Sequence, residues 1–516
     1  MTVDSSRPVL PPGHDRRSFM AGIAEFRKAI GEDNVFVEEE RLAPYTKIMI
    51  PGEDADHAPS AASAPASVPE IQAILAICNR HRIPVWPVST GKNFGYGTAA
   101  PAMRGTVVLD LRRLNRIIEV DGELGTALVE PGVTYRALLD HLKAQDLPYW
   151  IDVPAPGPIV GPVGQILERG IGYTPYGDHF AHACGMEVVL ANGDILRTGM
   201  GSIAGAKSWQ TNRYGYGPYL DGIFSQSNFG VVTKMGLGLM PRPEVYKPFL
   251  VSFPNHGDLP RAVEIARDLS LRGVIRNTPV VGHVLYMIAM KARRADIFPG
   301  EGSVTDEWIT QFTRDHHLGI WVMQAALYGS AAQVAADWAL IEQAYAKSGA
   351  MLLTDRELVD EPTWQHAKRL MAGELDLDEF GLYNWRGGGG SAWFAPVARA
   401  TGADATAIIT LGKQILAEFG FDYLGGFMVQ QRNMIAVMDL LFDRSSPDER
   451  KRAHDCFARL MSEFGKRGYG IYRTNIAFMD AAAALQGPVR MNVNRTLKRA
   501  LDPNGIIAPG KSGIHL

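Results

Sequence analysis

The sequence predicts an α+β fold in two domains. Three observations carry that expectation. The chain has 516 residues, and a single hydrophobic core stops growing near about 250–300 residues. Up to residue 242, short strand-like runs alternate with glycine-rich loops. After "MPRPEVYKPFLVSF" longer helical patterns appear, with apolar strands between them. The change of texture sets the expected domains at 1–242 and 243–490. A Pro/Gly-rich tail, 491–516, is expected to return to the first domain.

Each element has a local reason. "DRRSFMAGIAEF" looks like a twin-arginine export signal, but its apolar stretch is short and Glu25, Arg27 and Lys28 interrupt it. It reads as an amphipathic helix over 16–30. The Ala/Ser/Pro-rich segment 54–68 is a loop or edge strand. Ser67 with Glu70 three residues on has the form of a capping box, and Ile71, Ile74, Leu75 and Cys78 continue as one apolar face. "IPVWPVS", "GTVVLDL" and "TALVEPGV" read as strands. "TYRALLDHL" is a helix capped by Thr134. "MEVVLANGDILRTG" is a hairpin turning at Asn192-Gly193. Helices follow near 258–272, 331–348, 405–419 and 447–467, with "WVMQAALYG" and "MIAVMDLLFD" as strands between them.

Composition excludes several classes. The net charge is −3 with no long basic run, so nucleic acid is not an expected partner. The three cysteines are far apart, so no disulfide framework, zinc site or c-type haem attachment is expected, and no metal. No apolar run approaches about 18 residues, the length of a membrane span.

The chemistry is carried by loops. "PVSTGKNFGYG" follows a strand directly. Its Ser89, Thr90, Gly91, Lys92 and Asn93 offer backbone N–H groups, hydroxyls and a cation that can wrap an anion. Alone, it reads equally well as an ordinary glycine turn. Three further loops accompany it: "VEPGVTY" with Glu130, Pro131 and Gly132; the stretch 155–180 with Gly161 and Gly164; and "SQSNFGVVTKMG" with Asn228 and Gly230. No G-x-G-x-x-G sits at a strand-to-helix turn, so a Rossmann dinucleotide site is not expected. Separate loops converging on one extended anionic ligand fit better. "GLYNWRGGGGSAWFAP" (381–396) lacks the Lys of a Walker loop and the polar flanks of a linker. Its glycines would let backbone approach a flat group. Tyr383, Trp385, Trp393 and Phe394 would wall that group in.

These stretches, with "STGKNFGYGTAAP", "RGIGYTPYGDHF" and "DPNGIIAPGKSGI", resemble the flavin-dependent oxidoreductases of the vanillyl-alcohol oxidase type. Among them the chain is most similar to the 4-cresol dehydrogenase (hydroxylating) flavoproteins, along nearly its whole length. The resemblance implies a two-domain FAD-binding fold of the p-cresol methylhydroxylase type with an α+β substrate cap. It implies FAD, bonded covalently through Tyr383. Ser391 stands near the place where oxidase relatives carry a histidine tether. Tyr96, Tyr472 and Arg473 match the family's phenol-binding trio, whose donors favour the ionised phenolate. Hydride would then leave the para-benzylic carbon, and water would hydroxylate the resulting p-quinone methide.

Further implications concern single positions. Asp152 matches an aspartate of the oxidase branch and is a candidate base for that water. Lys511 would stabilise the reduced flavin at its N1–C2=O edge. Glu379, as a candidate catalytic residue, and Asp439, in the substrate pocket, are retained from the 4-cresol branch. Gly426 and Ile435 replace its glutamate and histidine, which would leave room for a para substituent bulkier than methyl, as in eugenol, alkylguaiacols or lignans. Without the family, Tyr383 reads as a core aromatic, Asp152 as a strand-end carboxylate and Tyr472-Arg473 as a strand residue beside a surface charge. The implied electron acceptor is a c-type cytochrome, with an O₂-using, peroxide-forming oxidase as the alternative. A non-catalytic flavoprotein subunit is disfavoured by the complete trio. A flavoprotein homodimer with attached cytochromes is implied. No cleavable signal is visible, so the default location is cytoplasmic; a cytochrome partner would place the chain in the periplasm.

Overall fold

A computed structural model describes residues 9–155 and 157–516. Its first helix, Arg16–Ile30, opens on a capping box. The Asp15 carboxylate accepts from Ser18 N at 2.7 Å and Ser18 Oγ accepts from Asp15 N at 3.2 Å. Phe19, Ile23, Phe26 and Ile30 then bury one face. At the helix Val68–His81 the expected box is displaced. Ser67 Oγ accepts from Glu70 N, but the Glu70 carboxylate binds Ala66 N at 2.7 Å, one residue before the cap. Thr134 caps Tyr135–Ala144 through Ala137 N. In the hairpin of Ala183–Val189 and Ile195–Arg197, Gly193 turns at φ 90°, where a side chain would be strained.

Three main sheets position the site. In the first, Val85–Val88 and Ala62–Ser63 both run parallel to Val107–Asp110. The second is antiparallel, ordered Ile117–Asp121, Thr126–Val129, Val231–Gly238, Ala183–Val189, Ile195–Arg197. The third is an eight-stranded antiparallel sheet whose members all lie between Val245 and Phe442. Its middle strands Val280–His283, Gly425–Val429 and Asn433–Phe442 alternate. Val281, Phe427, Val429, Ala436 and Met438 join the largest apolar core, while Val280, Gly282, Gly426, Met428 and Val437 face a cavity. This is the period-two pattern of a pleated strand.

The segment near the C-terminus lies against the first sheet. Val85 N donates to Ile506 O and Ala508 N donates to Val85 O, each at 2.7 Å. A buried cation pins this contact: Lys498 Nζ donates to Asp502 Oδ2, Ile507 O and Asn228 O at 2.7, 2.7 and 2.8 Å.

Candidate active site

The three sheets enclose a cavity of about 400 Å³. One end is built by the loop after Val85–Val88. All five of Ser89, Thr90, Gly91, Lys92 and Asn93 line it, together with Pro131, Gly161, Gly164, Gly230 and Lys511. The loops brace one another: Gly161 N donates to Thr90 Oγ1 at 3.1 Å, and Gly164 leaves its Cβ position to Ser89 Oγ. A donor-rich, Cβ-poor cradle of this kind fits the phosphates and ring of an extended anionic cofactor. Lys511 pairs with Glu168, which sequence reading missed. Burial alone would raise the Glu168 carboxyl, but Lys511 and Arg473 outweigh it and hold the group below its ordinary range.

Glu130, Gly132 and Asn228 are engaged with the protein framework. Glu130 is bound by Arg116 through Nη2 at 2.7 Å and backbone N at 2.8 Å, and it does not line the cavity. Gly132 packs on the preceding chain, where a Cβ would meet Arg112 O at 2.5 Å. Asn228 Nδ2 donates to Ala508 O and Ile514 O at 3.0 Å each. Pro156 of the third loop lies outside the described residues.

Tyr96, Tyr472 and Arg473 all line the cavity. The Arg473 guanidinium stacks 3.8 Å from the Tyr96 ring centroid, its Nη2 donates to Asn93 Oδ1, and its buried Nε has no partner among the described residues. Tyr472 is held by Gln226, whose Nε2 donates to the Tyr472 carbonyl at 2.8 Å. Gln226 adopts φ 47°, a strained position for a non-glycine residue, which no local sequence signal foretells. Burial, reinforced by Tyr472, pushes the Tyr96 hydroxyl well above its ordinary pKa, so it remains a neutral hydrogen-bond donor.

The glycine run acts differently from the expectation. Gly387, Gly388 and Gly389 take φ of 76°, 63° and 70°, and a Cβ on Gly390 would meet Phe442 O at 2.5 Å. None of the four lines the cavity, and neither do Trp385 or Phe394. The run is a left-handed turn that docks one strand on another. The turn brings Tyr383, before it, and Trp393, after it, to the cavity wall. Burial raises the Tyr383 hydroxyl well above its ordinary value.

Asp152 is absent from that wall. Its carboxylate accepts from His179 Nε2 at 2.6 Å, Thr174 N at 2.6 Å and Tyr173 N at 3.1 Å. In this arrangement it fastens the loop that carries Tyr173, Thr174 and His179. Glu379 does line the cavity, accepts from Tyr286 OH at 3.0 Å and is raised by burial. Asp439 lies behind the wall, opposite Trp393 in the strand ladder. Ser391 Oγ donates to it at 2.8 Å while Oδ2 has no partner among the described residues, and burial lifts its pKa to about 8.

The substrate wall also differs. Gly426 lines the cavity, but a Cβ there would meet Val281 O at 2.5 Å. It permits close strand packing and leaves no empty side-chain volume. Ile435 is buried beside Met428 and does not reach the cavity; Val437 takes that place. Free space lies at Gly282, where a Cβ would find only Val322 O, at 3.9 Å. The lone glycine in "VVGHV" carried no signal of this.

Residues 59–199 match the family described as "FAD binding domain" and residues 320–512 that described as "FAD linked oxidases, C-terminal domain". The chain is 46% identical over 515 residues to the 4-cresol dehydrogenase (hydroxylating) flavoprotein subunit of Pseudomonas putida, covering 99% of each. A crystal structure of p-cresol methylhydroxylase with substrate bound superposes with a TM-score of 0.97 at 46% identity, over 98% of this chain and 99% of that one. The isoeugenol complex of 4-ethylphenol oxidase from Gulosibacter chungangensis gives 0.95 at 33%, with the same coverage. The cradle, the trio and these likenesses agree: the chain belongs to the vanillyl-alcohol oxidase and 4-cresol dehydrogenase family of FAD-dependent flavoproteins.

Proposed function

We propose that this protein oxidises 4-alkylphenols at the benzylic carbon, yields the hydroxylated product and passes the electrons to a c-type cytochrome. The observation that carries this reading is the Tyr96, Tyr472 and Arg473 cluster opening on the same cavity as the flavin cradle. Bound FAD supplies the hydride acceptor. The chain's residues do the rest. Arg473 and the two tyrosines hold the phenolate oxygen and concentrate electron density in the ring. Lys511 offsets negative charge at the cradle. Buried walls exclude water from the ring faces. In this scheme 1–242 and 491–516 hold the cofactor and 243–490 cap the substrate.

Anaerobic mixing with 4-ethylphenol should bleach the flavin, and cytochrome c should reoxidise it faster than O₂ does. Absence of bleaching with any 4-alkylphenol would sink the proposal, and faster reoxidation by O₂ would make the protein an oxidase.

Tyr383 is the proposed covalent attachment point. Denatured wild-type protein should keep its yellow colour, whereas Tyr383→Phe should release free FAD on acid precipitation. Flavin stripped from the parent protein would exclude the tether.

The para substituent is proposed to extend past Met428 and Val437 toward Gly282, which favours chains longer than methyl. Gly282→Val fills that space. Each buried methylene contributes roughly 0.8 kcal/mol, so losing room for two carbons lowers kcat/KM for 4-propylphenol relative to 4-cresol by about tenfold. An unchanged ranking would place the alkyl chain elsewhere.

A further inference from the structure

With Asp152 committed to Tyr173, Thr174 and His179, the water-adding step has no assigned base. We propose that His366 is that base, its Nε2 taking the proton of the water that adds to the benzylic carbon. This rests on the 4-alkylphenol reading.

His366 sits on the helix Pro362–Met371, whose Thr363, His366, Ala367 and Leu370 line the cavity. Its Nδ1 lies 2.7 Å from Asp376 Oδ1. A carboxylate only accepts, so Nδ1 carries a hydrogen, and in the neutral imidazole the lone pair is then on Nε2. Nε2 bonds no described residue. Asp376 is itself fixed by Arg369 Nε at 2.8 Å and by Asp378 N at 3.2 Å. Arg369 also binds Asp378, at 2.8 Å, so His366, Asp376 and Asp378 form an ion-paired cluster. Glu379 and Tyr286 continue the same wall and interact with the cluster. Burial would raise the Asp376 carboxyl, but the bonds from His366 and Arg369 outweigh it and keep it ionised. The imidazolium formed on proton uptake therefore has an anion beside it.

The step balances. The water oxygen bonds to the benzylic carbon, and the exocyclic C=C pair returns to the ring as phenolate, which Arg473 holds. The water O–H bond breaks and its proton goes to Nε2, then to solvent. The preceding hydride transfer has already removed the two electrons, so no further oxidant is consumed.

The test is rapid mixing of the flavin-loaded enzyme with 4-ethylphenol, following flavin bleaching and quinone-methide absorbance separately. His366→Ala should slow quinone-methide decay by about a hundredfold or more, far more than it slows bleaching. It should also raise 4-vinylphenol at the expense of the alcohol, and added imidazole should restore the alcohol. Affinity for 4-hydroxybenzyl alcohol relative to 4-cresol, read by calorimetry, should fall as its hydroxyl loses an acceptor. Asp376→Asn, a positioning change, should shift the pH midpoint of the decay phase downward, with Arg369, Asp378, Glu379, Tyr286 and Tyr173 left in place around the ring. Should His366→Ala fold poorly, His366→Gln keeps the volume and gives the same readout. Unchanged decay and partition in a folded variant would overturn the assignment, as would a slowing confined to Glu379→Gln. Wild-type flavin that no 4-alkylphenol bleaches would instead remove the underlying reading.

Discussion

Replacing Arg473 by alanine is expected to cost about 2–4 kcal/mol of transition-state stabilisation, read as a fall in kcat/KM for a 4-alkylphenol. The guanidinium is half-buried, with its Nε fully enclosed, stacks on Tyr96 and binds Asn93. Tyr96 stays neutral, so it can donate to the phenolate but cannot balance its charge. Removing Arg473 leaves the anion to neutral donors in a site with little water. The methyl ether of the same substrate, which cannot ionise, should leave the wild-type flavin oxidised. Turnover of that ether, or a variant within twofold of wild type, would contradict the phenolate clamp.

Asp502→Ala should destabilise the protein by about 3–5 kcal/mol, because it leaves a buried cation without its anion. Lys498 and Asp502 are at most 1% exposed. Asp502 also accepts from Ile506 N at 3.1 Å and Ile507 N at 2.8 Å, the residues that bridge to Val85. The double variant Lys498→Met with Asp502→Leu removes both charges and should recover much of the loss. Chemical denaturation of the three proteins tests this, and equal instability of single and double variants would refute it. The lost anchor also frees the segment carrying Lys511, so the single variant should retain flavin poorly.

How much of this was legible follows from range. Ser67 and Thr134 announce their helices because a cap acts within one turn. The trio and the first cradle loop were legible as a resemblance, and the structure gathers them on one cavity. Glu130, Gly132 and Asn228 lie in the right loops but turn toward Arg116, Arg112 and the chain at Ala508. Which way a loop side chain points is decided by partners distant in sequence. The partners of Asp152 were hidden for the same reason, since its three donors come from residues 173–179. Gly426 and Gly282 differ only in what stands opposite them across neighbouring strands, which one chain position cannot reveal.

The contact between Asn93 and Arg473 spans 380 residues. Closing a flexible loop of that length costs on the order of 5 kcal/mol beyond a constant, by the logarithmic law for chain closure. No local element can form this pair early. The phenol site therefore takes shape only when the first sheet and the eight-stranded sheet have both folded and docked, at the end of the folding sequence. Substrate-analogue binding during refolding should appear with the slowest phase, after the helices have reached their full dichroism.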